Sequence, residues 1–134
     1  MVKLMTYPIS RDLFPFWLLL LLAVGGCASS INSSTLLDEL KGGEPQPVIV
    51  DVRTAGEFRR GHVPGALNIS VLSLPFRLKE IPVESKDRPV VVYCAHGPRA
   101  GLAGFVLKLA GFTEVYHLQA DMAGWRAGGL PIEK

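Results

Sequence analysis

The stretch Val90-Val91-Val92-Tyr93-Cys94-Ala95-His96-Gly97-Pro98-Arg99-Ala100 runs from a β-branched segment into a cysteine, a turn and the start of a small-residue helix. Valines with no polar alternation read as a strand buried on both faces, as in parallel sheets. Beyond the turn, Leu102, Phe105, Val106 and Leu109 recur at helical spacing up to a stop at Gly111. Gly101 and Gly104 weaken that helix, and close packing against a neighbouring layer is expected to compensate. Cys94 is thus placed at the carboxyl end of a strand, where open α/β sheets bind ligands.

Working outward, Pro47-Val48-Ile49-Val50-Asp51-Val52 repeats the buried-strand pattern and ends beside Arg53. A brief helix follows from Ala55 to Arg60, with Thr54 as its cap and Glu57 placed to complete a capping box. Gly61 to Gly65 turns the chain into a short strand, Ala66 to Ile69. Leu72 to Leu78 is apolar but contains Pro75, which argues against one long helix, and Glu80 to Arg88 reads as a polar connection. Val115 to Leu118 supplies another strand and Met122 to Ala127 a last helix, whose Trp125 is expected in the core. Ahead of all these, Ser33 to Gly43 reads as a helix capped by Ser33 or Ser34, with Leu36, Leu37 and Leu40 on one side. This alternation predicts an α/β domain with a mostly parallel central sheet and helices on both faces. At 134 residues the chain has room for one such domain.

The amino-terminal part differs in character. Leu13 to Gly26 carries no charge, Lys3 and Arg11 precede it, and Val24-Gly25-Gly26-Cys27 with several serines follows. The apolar core is shorter than the roughly 20 residues that span a bilayer. Basic start, apolar middle and small-residue exit read as an export signal over residues 1–26, with a retained membrane anchor as the alternative. Val24 to Cys27 resembles a bacterial lipobox, which implies lipid attachment at Cys27, a linker over 27–34 and a folded domain over 35–134. The expected location is the bacterial cell envelope, facing the periplasm, and the expected membrane partner is reached through the lipid. Inner and outer membrane both remain open. An acylated Cys27 leaves Cys94 without an intrachain disulfide partner.

The turn after Cys94 has the makings of an anion nest. Amides from Ala95, His96, Gly97, Arg99 and Ala100 can point inward at the start of a helix, with one gap at Pro98, which has no N–H. Donors of this kind, together with Arg99, have the sign that favours a thiolate, so no histidine base is required. His96 either donates to substrate or is simply an exposed loop residue. The formal net charge is +2, and no basic run points to nucleic acid. Arg59-Arg60 is an isolated pair that reads as solvated helix surface. No metal-binding spacing is present and no cofactor is called for.

From Val48 to Pro131 the chain resembles the rhodanese family of sulfurtransferases. The segments that carry the likeness are Asp51 to Phe58, Gly61 to Ile69, Cys94 to Ala100 and Met122 to Pro131. Ala120-Asp121 stands where two glycines are common, a departure expected to alter only the local turn. The resemblance implies a rhodanese-like α/β fold and a cycle in which the Cys94 thiolate takes the outer sulfur of thiosulfate or a related small sulfur-containing anion. A persulfide forms on Cys94, and cyanide or a thiol, including a protein thiol, accepts the sulfur. Loop residues 95–97, Arg99 and Ala100 would bind substrate, with Arg99 recognising the donor or the leaving group. Asp51, Arg53 and His62 would organise the site, and Glu57 would support its helix or pair with an arginine. Two other readings remain: a low-turnover sulfur carrier or protein-interaction module, and a cysteine phosphatase or arsenate reductase. The last is disfavoured by the four residues between Cys94 and Arg99, one fewer than such loops use.

Overall fold

The computed structural model describes residues 28–42, 45–84 and 86–134, so the export segment, Cys27 and Gly43 lie outside the described residues. Five strands, β1 (Ser29–Ile31), β2 (Val48–Asp51), β3 (Leu67–Asn68), β4 (Val90–Tyr93) and β5 (Val115–Leu118), form one sheet in the order β1-β5-β4-β2-β3. Every pairing between them is parallel. The helices are α1 (Ser33–Gly42), α2 (Ala55–Arg59), α3 (Leu74–Arg77) with a 3-10 turn at Leu78–Glu80, α4 (Pro98–Leu109) and α5 (Asp121–Ala127).

The central strands are buried throughout, and their side chains alternate between two apolar cores. Val48, Val50, Val52, Val90, Val92 and Cys94 face Leu74, Ala103 and Leu107 of α3 and α4. Ile49, Val91 and Tyr93 face Leu36 of α1 and Met122 and Trp125 of α5. The period of two along each strand therefore distributes one continuous apolar run to two layers, which gives the expected sheet with helices on both sides. Trp125 is fully buried and donates its indole N–H to the Pro131 carbonyl at 2.7 Å.

Three local expectations change. Within the linker expected over 27–34, Ser29–Ile31 is instead edge strand β1 on β5, and Ser33 opens α1. Burial of the Ile31 side chain accounts for this docking. The cap of α1 is Asn32, whose side-chain oxygen accepts from the Thr35 N–H at 2.8 Å. Of the α4 residues at helical spacing, Leu102, Phe105 and Leu109 are exposed and Val106 is half-buried against the core, while Ala100, Ala103, Gly104 and Leu107 pack inward. Small residues let the helix approach closely, and a Cβ on Gly104 would lie 3.3 Å from the Ala28 Cβ. Gly101 has open space around it and makes no such approach.

The capping box at α2 is present as expected, with reciprocal bonds between Thr54 and Glu57. Pro75 sits in the first turn of α3, where its missing N–H is not needed.

The connection from β5 to α5 is the strained part of the fold. Ala120 and Asp121 both adopt left-handed backbone, with φ of 58° and 53°, a conformation that disfavours any residue bearing a Cβ by about 1–2 kcal/mol. A Cβ on Gly124 would fall 2.4 Å from the Ala120 Cβ. Gly124→Ala is therefore expected to destabilise the domain by about 1–3 kcal/mol through overpacking. Ala120→Gly is expected to stabilise it on its own and to recover most of the Gly124→Ala loss. Urea denaturation of the four proteins as a double-mutant cycle measures the coupling, and additive effects would contradict the steric account.

Candidate active site

The site is assembled where β2 and β4 end. Asp51, the last residue of β2, is fully buried, and its carboxylate collects hydrogen bonds from three groups. Arg53 gives it a backbone N–H at 2.9 Å and guanidinium contacts down to 2.6 Å, and the Tyr93 hydroxyl donates at 2.7 Å. Tyr93 in turn accepts the Val63 N–H at 3.0 Å, and Arg53 also donates to the Gly61 carbonyl at 2.9 Å. Burial, followed by the Asp51 charge, pushes the Tyr93 hydroxyl far above its ordinary range, so it remains a neutral donor. This network lies at the strand ends, with Tyr93 directly before Cys94, so Asp51 and Arg53 are positioned next to the cysteine loop. His62 is placed differently. Its ring stacks on Phe58 at 3.6 Å, its Nδ1 lies 3.0 Å from the Phe58 carbonyl, and Nε2 approaches Glu133 at 3.6 Å. It fastens the carboxyl-terminal segment to α2 rather than shaping the cysteine loop.

Cys94 is buried and follows β4 directly. Its carbonyl accepts the Met122 N–H at 3.0 Å, and its N–H donates to Asp121 Oδ1 at 2.8 Å. Gly97 folds back with φ of 116°, bringing its N–H 3.0 Å from Cys94 Sγ. Only glycine adopts that backbone without strain. Pro98 then opens α4 at a position that requires no N–H, and the Gly97 carbonyl receives the Gly101 N–H at 2.9 Å. The sulfur thus faces a loop amide at the start of a 12-residue helix.

Arg99 is not free. Its guanidinium makes a bidentate pair with Glu57, at 2.8 and 2.9 Å. These bonds, opposed by burial, hold the Glu57 carboxyl well below the usual carboxylate range. The same pair raises Arg99 further into its charged range, with smaller contributions from Cys94. Arg99 is therefore an oriented positive charge within electrostatic reach of the sulfur, set by α2. Ala95 is half-buried and His96 exposed, and both border a pocket with Arg53, Met122, Ala123 and Arg126. The Ala100 side chain packs into the apolar core, so a substrate-binding role remains to its backbone alone.

Asp121 is the residue that the sequence reading undervalued. Expected only to alter a turn, it is buried against the loop, accepting the Cys94 N–H and lying 3.1 Å from His117 Nε2. Its signal was present as an ionisable residue in a position that favours glycine, but nothing local showed where the carboxylate would point. Among the described residues, no three histidine, cysteine or acidic side chains cluster to hold a metal ion. No helix among them is long and apolar enough to cross a membrane.

The Rhodanese-like domain model matches residues 33–128. A sulfurtransferase of Allochromatium vinosum is 36% identical over 104 residues, covering 78% of this chain and 94% of that protein. A thiosulfate sulfurtransferase of Shewanella oneidensis is 32% identical over 96 residues, covering 72% of this chain and 88% of that protein. Among solved structures, the Alr3790 protein of Anabaena superposes with a TM-score of 0.69 at 32% identity, covering 77% of this chain and 81% of that one.

The Glu57–Arg99 pair carries a pH signature. Because the folded Glu57 carboxyl lies below its ordinary value of 4.5, its contribution to stability is present above that value and declines as pH falls below it. The difference in thermal midpoint between the wild type and Glu57→Gln is therefore expected to hold steady near neutral pH and shrink below about pH 4.5. Parallel curves down to pH 3 would contradict this.

Proposed function

Because this chain belongs to the rhodanese family, we propose that it is a sulfurtransferase that carries sulfane sulfur as a Cys94 persulfide, with thiosulfate or a related anion as donor. The observation that carries the reading is Cys94 Sγ at the end of a parallel strand, 3.0 Å from the Gly97 N–H at a helix start. The Cys94 thiolate attacks the outer sulfur of the donor. A bond forms between the two sulfurs, the donor's S–S bond breaks, and its electron pair leaves with sulfite. The loop amides and the helix start stabilise the negative charge retained on the persulfide. Arg99, oriented by Glu57, offers positive charge to the departing anion. In the second half, cyanide or an acceptor thiolate attacks the outer sulfur and Cys94 leaves as thiolate, closing a covalent cycle that needs no further oxidant or reductant.

The carrier reading stands beside this one, favoured by the pairing of Arg99 with Glu57. That pairing leaves less charge for a dianionic donor and is compatible with a loop that holds sulfur longer than it turns it over.

Intact-mass analysis after thiosulfate treatment is expected to show the gain of one sulfur atom, absent from Cys94→Ser. Folded protein that gains no sulfur from thiosulfate or any other sulfane donor would sink the proposal. Following release to cyanide separates turnover from carriage.

We further propose that Cys27 is lipid-modified and tethers the domain to the bacterial envelope facing the periplasm, on the strength of the apolar run and the Val24 to Cys27 motif. Expression in a bacterial host is expected to place the wild type in the detergent-soluble membrane fraction with a lipid mass on Cys27. The Cys27→Ser chain should lack the lipid. Identical masses and fractionation for the two would refute this.

A further inference from the structure

Ala28, the residue after Cys27, is already part of the fold. It is half-buried against the core that α4 covers, and a Cβ on Gly104 would lie 3.3 Å from its side chain. The residues that follow it form β1 and α1, so no slack separates Cys27 from the domain. Consecutive Cα atoms stand about 3.8 Å apart. A lipid on Cys27 therefore brings the flank of α4 up to the membrane surface.

The outer side of α4 is apolar. Leu102, Phe105 and Leu109 recur at i, i+3 and i+7, which places them on one stripe, and they are 52%, 45% and 73% exposed. The helix carries Arg99 and Lys108 and no carboxylate. Beside it, over the same core, α3 exposes Phe76, and Leu72 just ahead of α3 is exposed as well. The opposite face of the sheet has another character. There α1 turns Leu36 inward and exposes Asp38 and Glu39. Apolar side chains massed on one exposed face mark a surface with a partner. Twelve residues are too few to cross a bilayer, but a helix with apolar and basic side chains and no acids suits the plane of its interface.

We propose that the outer face of α4 rests on the lipid bilayer, with Leu102, Phe105 and Leu109 inserted among the headgroups, and that the tether at Cys27 fixes this orientation. The proposal rests on the lipid-anchor reading and adds to it the face that meets the membrane. Three side chains alone would bind weakly. A covalent tether without slack holds them at high local concentration beside the surface, so a weak contact suffices. The orientation also suits the chemistry. Ser29 pairs with Tyr116 near the start of β5, whereas Cys94 follows the end of β4, so the tether and the sulfur lie toward opposite ends of the parallel sheet.

Brominated acyl chains quench tryptophan that enters a bilayer, and they provide the test. Phe105→Trp and, on the opposite face, Glu39→Trp are made in the full lipid-bearing chain and reconstituted into vesicles of phosphatidylethanolamine and phosphatidylglycerol. Both positions are exposed, so neither change disturbs a core. The parent chain, with Trp17 and Trp125, supplies the baseline. With brominated lipid, the added emission of Phe105→Trp is expected to fall about twofold or more, and that of Glu39→Trp to stay constant. Adding Leu102→Ser and Leu109→Ser to the Phe105→Trp chain is expected to remove most of the quenching. Equal quenching at the two positions, none at either, or quenching unchanged by the serines overturns the docking and leaves the tether standing. Blue-shifted but unquenched emission from Phe105→Trp, with a dimer in sedimentation of the detergent-solubilised chain, assigns the face to a second copy and overturns the docking too. A chain that bears no lipid on Cys27 and leaves the membrane fraction removes the tether, and the docking with it.

Discussion

The carboxyl end of the sheet depends on one buried charge. Asp51 ends β2 with no exposure to solvent, and a carboxylate so placed is tolerated only because Arg53, Tyr93 and a backbone amide surround it. Those partners do more than neutralise it. Tyr93 comes from β4 and also holds the Val63 N–H, while Arg53 also holds the Gly61 carbonyl. Asn68, at the end of β3, donates to the carbonyls of both Asp51 and Arg53. One carboxylate thereby ties together the strand ends and turns from which the cysteine loop is built. Removing a single partner would leave charge buried without compensation, which is far less favourable than never having buried it.

Above this network the loop is fixed at both of its ends by different means. At Cys94 the backbone is stitched to α5 through Asp121 and Met122. At Arg99 the side chain is fixed by Glu57, whose own carboxylate also completes the capping box of α2. The left-handed backbone at Ala120 and Asp121 is the strain that accompanies the first of these attachments. Strain of this kind persists where surrounding contacts over-determine it, and here the Asp121 carboxylate has both the Cys94 amide and His117 as partners. The departure from two glycines thus adds a buried acid to the wall of the site, beyond reshaping a turn.

Much of the fold was legible because its signals are local. The runs Val48 to Val52 and Val90 to Tyr93 lack polar alternation, and the strands they form are covered on both faces. Thr54 and Glu57 are three residues apart, so their reciprocal capping follows from helix geometry alone. The helix after the cysteine was also visible, but its roll about its axis was not. Periodicity marked Leu102, Phe105, Val106 and Leu109 as a face, whereas close approach to the sheet turned Ala100, Ala103, Gly104 and Leu107 inward and kept Val106 alone of that face against the core. Strand β1 escaped notice because three residues with two serines carry no strand pattern, and pairing with β5 alone defines it.

By itself the sequence determined that a parallel α/β domain would present Cys94 at a strand-to-helix turn, since buried runs, caps and a glycine bend act over a few residues. Tertiary structure alone decided what surrounds that sulfur. Arg99 finds Glu57 across 42 residues, Asp121 reaches Cys94 across 27, and Arg126 joins Arg59 and Arg60 in lining one open pocket. Such pairings follow from strand order and from the packing of α2 and α5 over the sheet. No local pattern of residues encodes them, because side-chain charges act through space rather than along the chain.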